Sequence, residues 1–139
     1  MTHKALSKTT VRVRYQETDQ MGVAYYGNYF TWFEVGRSEL FRSAGLPYTM
    51  MEKQGVYLPV THAECNYKSS CKYDDLVTVV TQIEKLTPVR IQFHYRVLAE
   101  DGRVLATGGT THAFVDGGGK PLSLVKKAPE LWGRMQEVV

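Results

Sequence analysis

The sequence predicts an α+β protein, with one antiparallel sheet of about five strands wrapped around a single long helix. Three observations lead there. One stretch of helical period runs from Asn28 to Ala44, segments of strand period dominate after Val56, and the turns between those later segments are short enough to force antiparallel pairing.

Taken in order, Thr10 to Tyr15 sets Val11, Val13 and Tyr15 against Arg12 and Arg14, the period of a half-buried strand. Glu17 to Gly27 breaks that pattern with Asp19, Gly22 and Gly27, and Asn28 then stands where a helix N-cap is expected. Tyr29, Phe33, Gly36, Leu40 and Ala44 recur at spacings of three or four, giving one apolar face on which Gly36 lets another element come close. Gly45 and Pro47 end this helix, and a short second helix is expected from Pro47 to Gln54, closed by Gly55. Strands are then expected over Val56 to Tyr67, with a bend near Thr61, and over Leu76 to Leu86, Arg90 to Ala99 and Val104 to Val115. Glu100-Asp101-Gly102-Arg103 and Asp116 to Lys120 read as turns, and a tail helix opens at Pro129. The strands after the helices read as a meander of four or five. One long helix on one sheet makes a thin core, so two copies of the chain are expected to pair as a homodimer, with a homotetramer built as a dimer of dimers left open.

At 139 residues the chain is expected to form one domain over 1–139, with a flexible N-terminus of about eight residues. Hydrophobic residues at 43% and charged residues at 22% exclude a disordered or fibrous chain. Seventeen Lys and Arg against fourteen Asp and Glu give a net charge of +3 with no run of like charges, which speaks against a nucleic-acid partner. The polar start and the lack of any long apolar run predict neither signal peptide nor membrane span, and a cytoplasmic location in which Cys65 and Cys71 stay reduced. GxSxG, HExxH and GxGxxG patterns are missing, and Gly119-Lys120 runs into Pro121 where a phosphate loop needs Ser or Thr. His3, His62, His94 and His112 have no metal-ligand spacing.

What stands out is the segment Tyr15 to Tyr29, which carries Asp19 in a glycine-containing loop directly before the long helix. On composition alone Asp19 is a turn cap. Its other reading is a carboxylate beside a helix N-terminus whose free N–H groups polarise a carbonyl oxygen. The stretch Tyr15 to Arg42 resembles the hotdog-fold acyl-CoA thioesterases of the 4-hydroxybenzoyl-CoA thioesterase type. The match runs through Glu17-Thr18-Asp19, Gly22-Val23, Tyr25-Tyr26 and Asn28-Tyr29, with Glu34 and Arg37 on the helix. A second block, Glu64-Cys65-Asn66-Tyr67-Lys68 followed by Lys72-Tyr73-Asp74-Asp75, resembles the family's strand segment.

The resemblance implies an enzyme that hydrolyses an acyl-CoA thioester to free acid and CoA. Asp19 would act on water as general base or attack the thioester carbon as nucleophile, the Tyr26 backbone N–H would meet the oxyanion, and Gly22 would shape the loop. Tyr15, Val23, Tyr25, Asn28, Tyr29, Lys68 and Lys72 would bind substrate, the two lysines near the CoA phosphates. It implies no metal or redox cofactor. Two departures from the family are Tyr26, where several relatives carry histidine, and Ser69-Ser70, where many carry a proline. A non-catalytic acyl-CoA or acyl-carrier-protein binding module on the same fold is the alternative.

Overall fold

The computed structural model describes residues 6–139. Five strands, β1 (Ser7–Arg12), β2 (Val60–Tyr67), β3 (Leu76–Leu86), β4 (Arg90–Leu98) and β5 (Val104–Ala113), form one antiparallel sheet in the order β1-β3-β4-β5-β2. Helix α1 (Asn28–Ser43) lies against the sheet, α2 (Tyr48–Lys53) follows it, and α3 (Leu124–Lys127) and α4 (Pro129–Gln136) close the chain.

The meander expectation holds for β3, β4 and β5 and fails for β2. Instead of pairing with its sequence neighbour β3, β2 crosses to the far edge and pairs with β5, because β1 already occupies the free edge of β3. The bend expected near Thr61 is present as a break in register between Val60 and His62. The first strand begins and ends three residues earlier than expected. Of the N-terminal residues expected to be flexible, 1–5 lie outside the described residues, whereas Ser7 and Lys8 pair with Thr81 and Val80. After Val13, whose N–H donates to Asp75 O, the chain leaves the sheet in a 3₁₀ turn at Tyr15–Glu17. That is why Tyr15, expected to point inward, is 76% exposed. Asn28 is the first residue of α1 and not its cap: Gly27 holds that position, and the Asn28 side chain is used elsewhere.

Helix and sheet meet most closely at Gly36, where a Cβ would collide with Thr81 Oγ1 and lie 2.8 Å from Val79 Cγ1. Around that contact the core is aromatic, with Phe33 stacked on Tyr95 at 4.3 Å and Phe41 edge-on to Phe93 at 5.5 Å. A buried polar string crosses it. The Tyr95 hydroxyl is 2.6 Å from Thr110 Oγ1, which is 2.8 Å from His112 Nε2, and His112 Nδ1 is 2.9 Å from Leu58 O. Among the described residues no helix is long and apolar enough to cross a membrane.

Candidate active site

The loop before α1 is anchored by Glu17, a carboxylate only 4% exposed. Its Oε1 accepts from the Arg14 N–H at 2.7 Å with the Arg14 guanidinium 3.5 Å away, and its Oε2 accepts from Trp32 Nε1 at 3.1 Å. A buried charge needs this number of donors to be tolerated. The Glu17 carbonyl takes two more, from the Tyr25 N–H at 2.7 Å and Asn28 Nδ2 at 2.8 Å, so one residue ties the loop to the first turns of the helix.

From there the chain makes a tight turn. The Asp19 N–H donates to Val23 O and the Gly22 N–H to Asp19 O, both at 2.9 Å, with Gly22 at φ +80°, a value that favours glycine. The Asp19 Oδ1 accepts from the Met21 N–H at 2.9 Å, which fixes the carboxylate while its other oxygen accepts nothing among the described residues. The return limb bonds to the stretch before β3, with the Ala24 N–H on Cys71 O at 2.8 Å and Val23 bridged to Lys72.

The backbone of Tyr25 and Tyr26 is hydrogen-bonded at every polar group except one. Tyr25 gives its N–H to Glu17 O and its carbonyl accepts from the Asn28 N–H at 3.0 Å, while the Tyr26 carbonyl accepts from the Tyr29 N–H at 3.2 Å and from the Tyr67 hydroxyl at 2.9 Å. The Tyr26 N–H itself meets no acceptor among the described residues. Such a donor, at the start of a sixteen-residue helix, sits where the helix dipole is positive.

Asp19, Val23, Tyr26, Tyr29 and Lys68 line one cleft, together with Ala24, Tyr67, Ser69 and Ser70. Tyr15, Tyr25, Asn28 and Lys72 fall outside its lining. Tyr15 packs edge-on against Tyr73 at 5.6 Å, the Tyr25 ring covers Tyr26 at 4.5 Å, Asn28 holds Glu17, and the Lys72 N–H donates to Asp75 Oδ2 at 2.9 Å. The rings of Tyr26, Tyr29 and Tyr67 form a continuous aromatic wall, Tyr67 lying edge-on to the other two at 6.1 and 5.1 Å. Burial, then the neighbouring Cys71, pushes the Tyr29 hydroxyl well above the usual phenol range. Burial, then Cys65, does the same for Tyr67, and burial raises both thiols, so these groups stay protonated at neutral pH. Sequence reasoning passed over Glu17 and Tyr67 as site residues, because their contacts appear only once distant segments meet.

A curled antiparallel sheet around one long helix, with a carboxylate loop at that helix's N-terminus, defines the hotdog thioesterase class. The chain belongs to the thioesterase-like superfamily, which it matches over residues 13–134. It is 38% identical to a DHNA-CoA thioesterase from Staphylococcus aureus, covering 96% of this chain and 91% of that one with a TM-score of 0.92. A Bacillus subtilis (strain 168) protein with a provisional acyl-CoA thioesterase name is 36% identical over 126 residues, 90% of this chain and 91% of the relative. The acyl-CoA thioesterase YbgC of Haemophilus influenzae is 31% identical over 119 residues, covering 84% and 87%.

Proposed function

We propose that the chain hydrolyses an acyl-CoA thioester in the Asp19 cleft. The observation that carries this reading is the pairing of a held but unsaturated carboxylate, Asp19, with an unpaired backbone donor, the Tyr26 N–H, on one cleft. The thioester oxygen approaches the Tyr26 N–H, and Asp19 takes a proton from water while the resulting hydroxide adds to the carbonyl carbon. The negative oxygen of the tetrahedral adduct is met by that N–H and the helix terminus, a contribution on the order of 3 kcal/mol for one such donor. Collapse breaks the C–S bond, and the departing thiolate takes the proton back from Asp19. In the nucleophilic variant the free Asp19 oxygen attacks the carbon directly, expels the thiolate, and water then hydrolyses the mixed anhydride. Gly22 sets the turn that presents Asp19, Val23 and Tyr29 flank the acyl group, and Lys68 meets a CoA phosphate. The thioesterase names of the three relatives described above favour this over a binding module.

The fold also supports a homodimer. Strand β2 is an edge strand exposed along almost its whole length, the situation that pairing with a second copy relieves, with a dimer of dimers as the next level.

The deciding experiment is release of free CoA from a panel of short-chain, medium-chain and aromatic acyl-CoAs. Wild type turns over at least one, and Asp19→Asn loses at least about 100-fold in kcat with an unchanged unfolding temperature. A wild-type rate in Asp19→Asn ends the role given to that residue. Single-turnover hydrolysis in ¹⁸O-water tests the nucleophilic route: label found in the Asp19 carboxylate establishes a mixed anhydride opened at Asp19, an outcome the base route does not give.

A further inference from the structure

Tyr67 closes the last strand position of β2, forty-one residues from Tyr26, and is 44% exposed. A tyrosine half in solvent gains little from giving its hydroxyl to the carbonyl of the exposed Tyr26 for stability alone, because water would serve it nearly as well. Here the hydroxyl goes to the carbonyl of Tyr26, the residue whose own N–H is left without an acceptor. A carbonyl can only accept, so Tyr67 is the donor in this bond. The same carbonyl also takes the Tyr29 N–H, so two donors from different elements fix its plane. The Tyr25 carbonyl, which shares a peptide plane with the Tyr26 N–H, is held by the Asn28 N–H, and with the Tyr26 carbonyl held on the other side the two backbone torsions of Tyr26 are restrained between fixed planes. The edge-on contacts of the Tyr67 ring to Tyr26 and Tyr29 stop the phenol from swinging off.

We infer that Tyr67 is a positioning residue of the reaction, which acts through the Tyr26 carbonyl to hold the Tyr26 N–H where the thioester oxygen develops charge. The inference rests on the thioesterase reading of the cleft. A positioned donor differs from a loose one in the transition state more than in substrate binding, so its loss falls on kcat and leaves KM nearly alone.

The test is Tyr67→Phe, which removes one exposed hydroxyl and keeps the ring. With the best substrate of the CoA-release panel, kcat falls about tenfold and KM stays within about twofold of wild type. In the Asp19→Asn background, where bound substrate persists, the infrared band of a ¹³C-labelled thioester carbonyl lies below its position in free solution. Adding Tyr67→Phe returns it toward the free value, a shift that a merely structural hydroxyl would not produce. An unchanged kcat, a loss confined to KM, or a band that does not move overturns the inference. Should Tyr67→Phe match wild type while Asp19→Asn is inactive, the inference falls and the thioesterase reading stands. A wild-type chain inactive on every panel member removes both.

Discussion

Two polar regions flank α1, and they are built on opposite principles. In the string Tyr95, Thr110, His112 and Leu58, every hydrogen has a destination. Leu58 O can only accept, so His112 Nδ1 carries the proton, the neutral ring accepts at Nε2 from Thr110, and Thr110 accepts from Tyr95. At the N-terminus of the helix the bonding is as dense, but it stops one group short at two places, one oxygen of Asp19 and the N–H of Tyr26. The comparison teaches that polar density does not mark a site in this fold. What sets the Asp19 cleft apart is polar density with a remainder left unbonded among the described residues.

The sharpest way to break the contrast is to exchange the expected phenotypes. Asp19→Asn lowers kcat at least about 100-fold and leaves stability alone, whereas His112→Leu strands Leu58 O and the Thr110 hydroxyl and lowers unfolding free energy by about 2 kcal/mol without acting on the cleft. Urea titration beside the CoA assay reads both, and a stability loss in the first or a tenfold kcat loss in the second contradicts it.

Acid sharpens the same point. Burial, outweighing the bond to Leu58, pulls the His112 imidazole from its ordinary 6.5 down to about 4, so the folded chain keeps it neutral. Between those values the unfolded chain binds a proton that the folded chain refuses. Stability is therefore whole above about pH 6.5 and drains as pH falls toward 4, by roughly 3 kcal/mol. The unfolding midpoint measured from pH 7 to 4 follows this decline in wild type and is flatter in His112→Leu; equal slopes would refute the assignment.

The smallest effect concerns an unpaired polar atom that faces no cleft. The Thr81 hydroxyl is buried beneath Gly36 and has no partner among the described residues. Thr81→Val removes it at nearly constant shape and is expected to stabilise by up to about 1 kcal/mol with kcat unchanged. A destabilised variant would show that the hydroxyl is satisfied in a way the fold does not reveal.

Much of this architecture was legible in the sequence. Strand β4 announced itself by alternation, because it buries one face, and the Asp-Gly pair at 101–102 placed the turn between β4 and β5. The early start of β1 was hidden because Ser7 and Thr9 point inward without being apolar. The position of β2 depends on which sheet edge is free, a property of the assembled sheet and of no local segment. Helix α3, four residues long, is too short for periodicity to register. At the site, the Asp19 loop was readable through its likeness to a known motif, but Glu17 and Tyr67 acquire meaning from Trp32 and Tyr26, fifteen and forty-one residues away.

The close approach at Gly36 has an engineering consequence. Because α1 already rests on Val79 and Thr81 there, its inner flank offers no slack for a larger residue. The outer flank is different, since Phe30 and Thr31 face Val60 and Ala63 of β2 across a second hollow. Trimming side chains on that side enlarges a hollow, while trimming them on the other dismantles the frame.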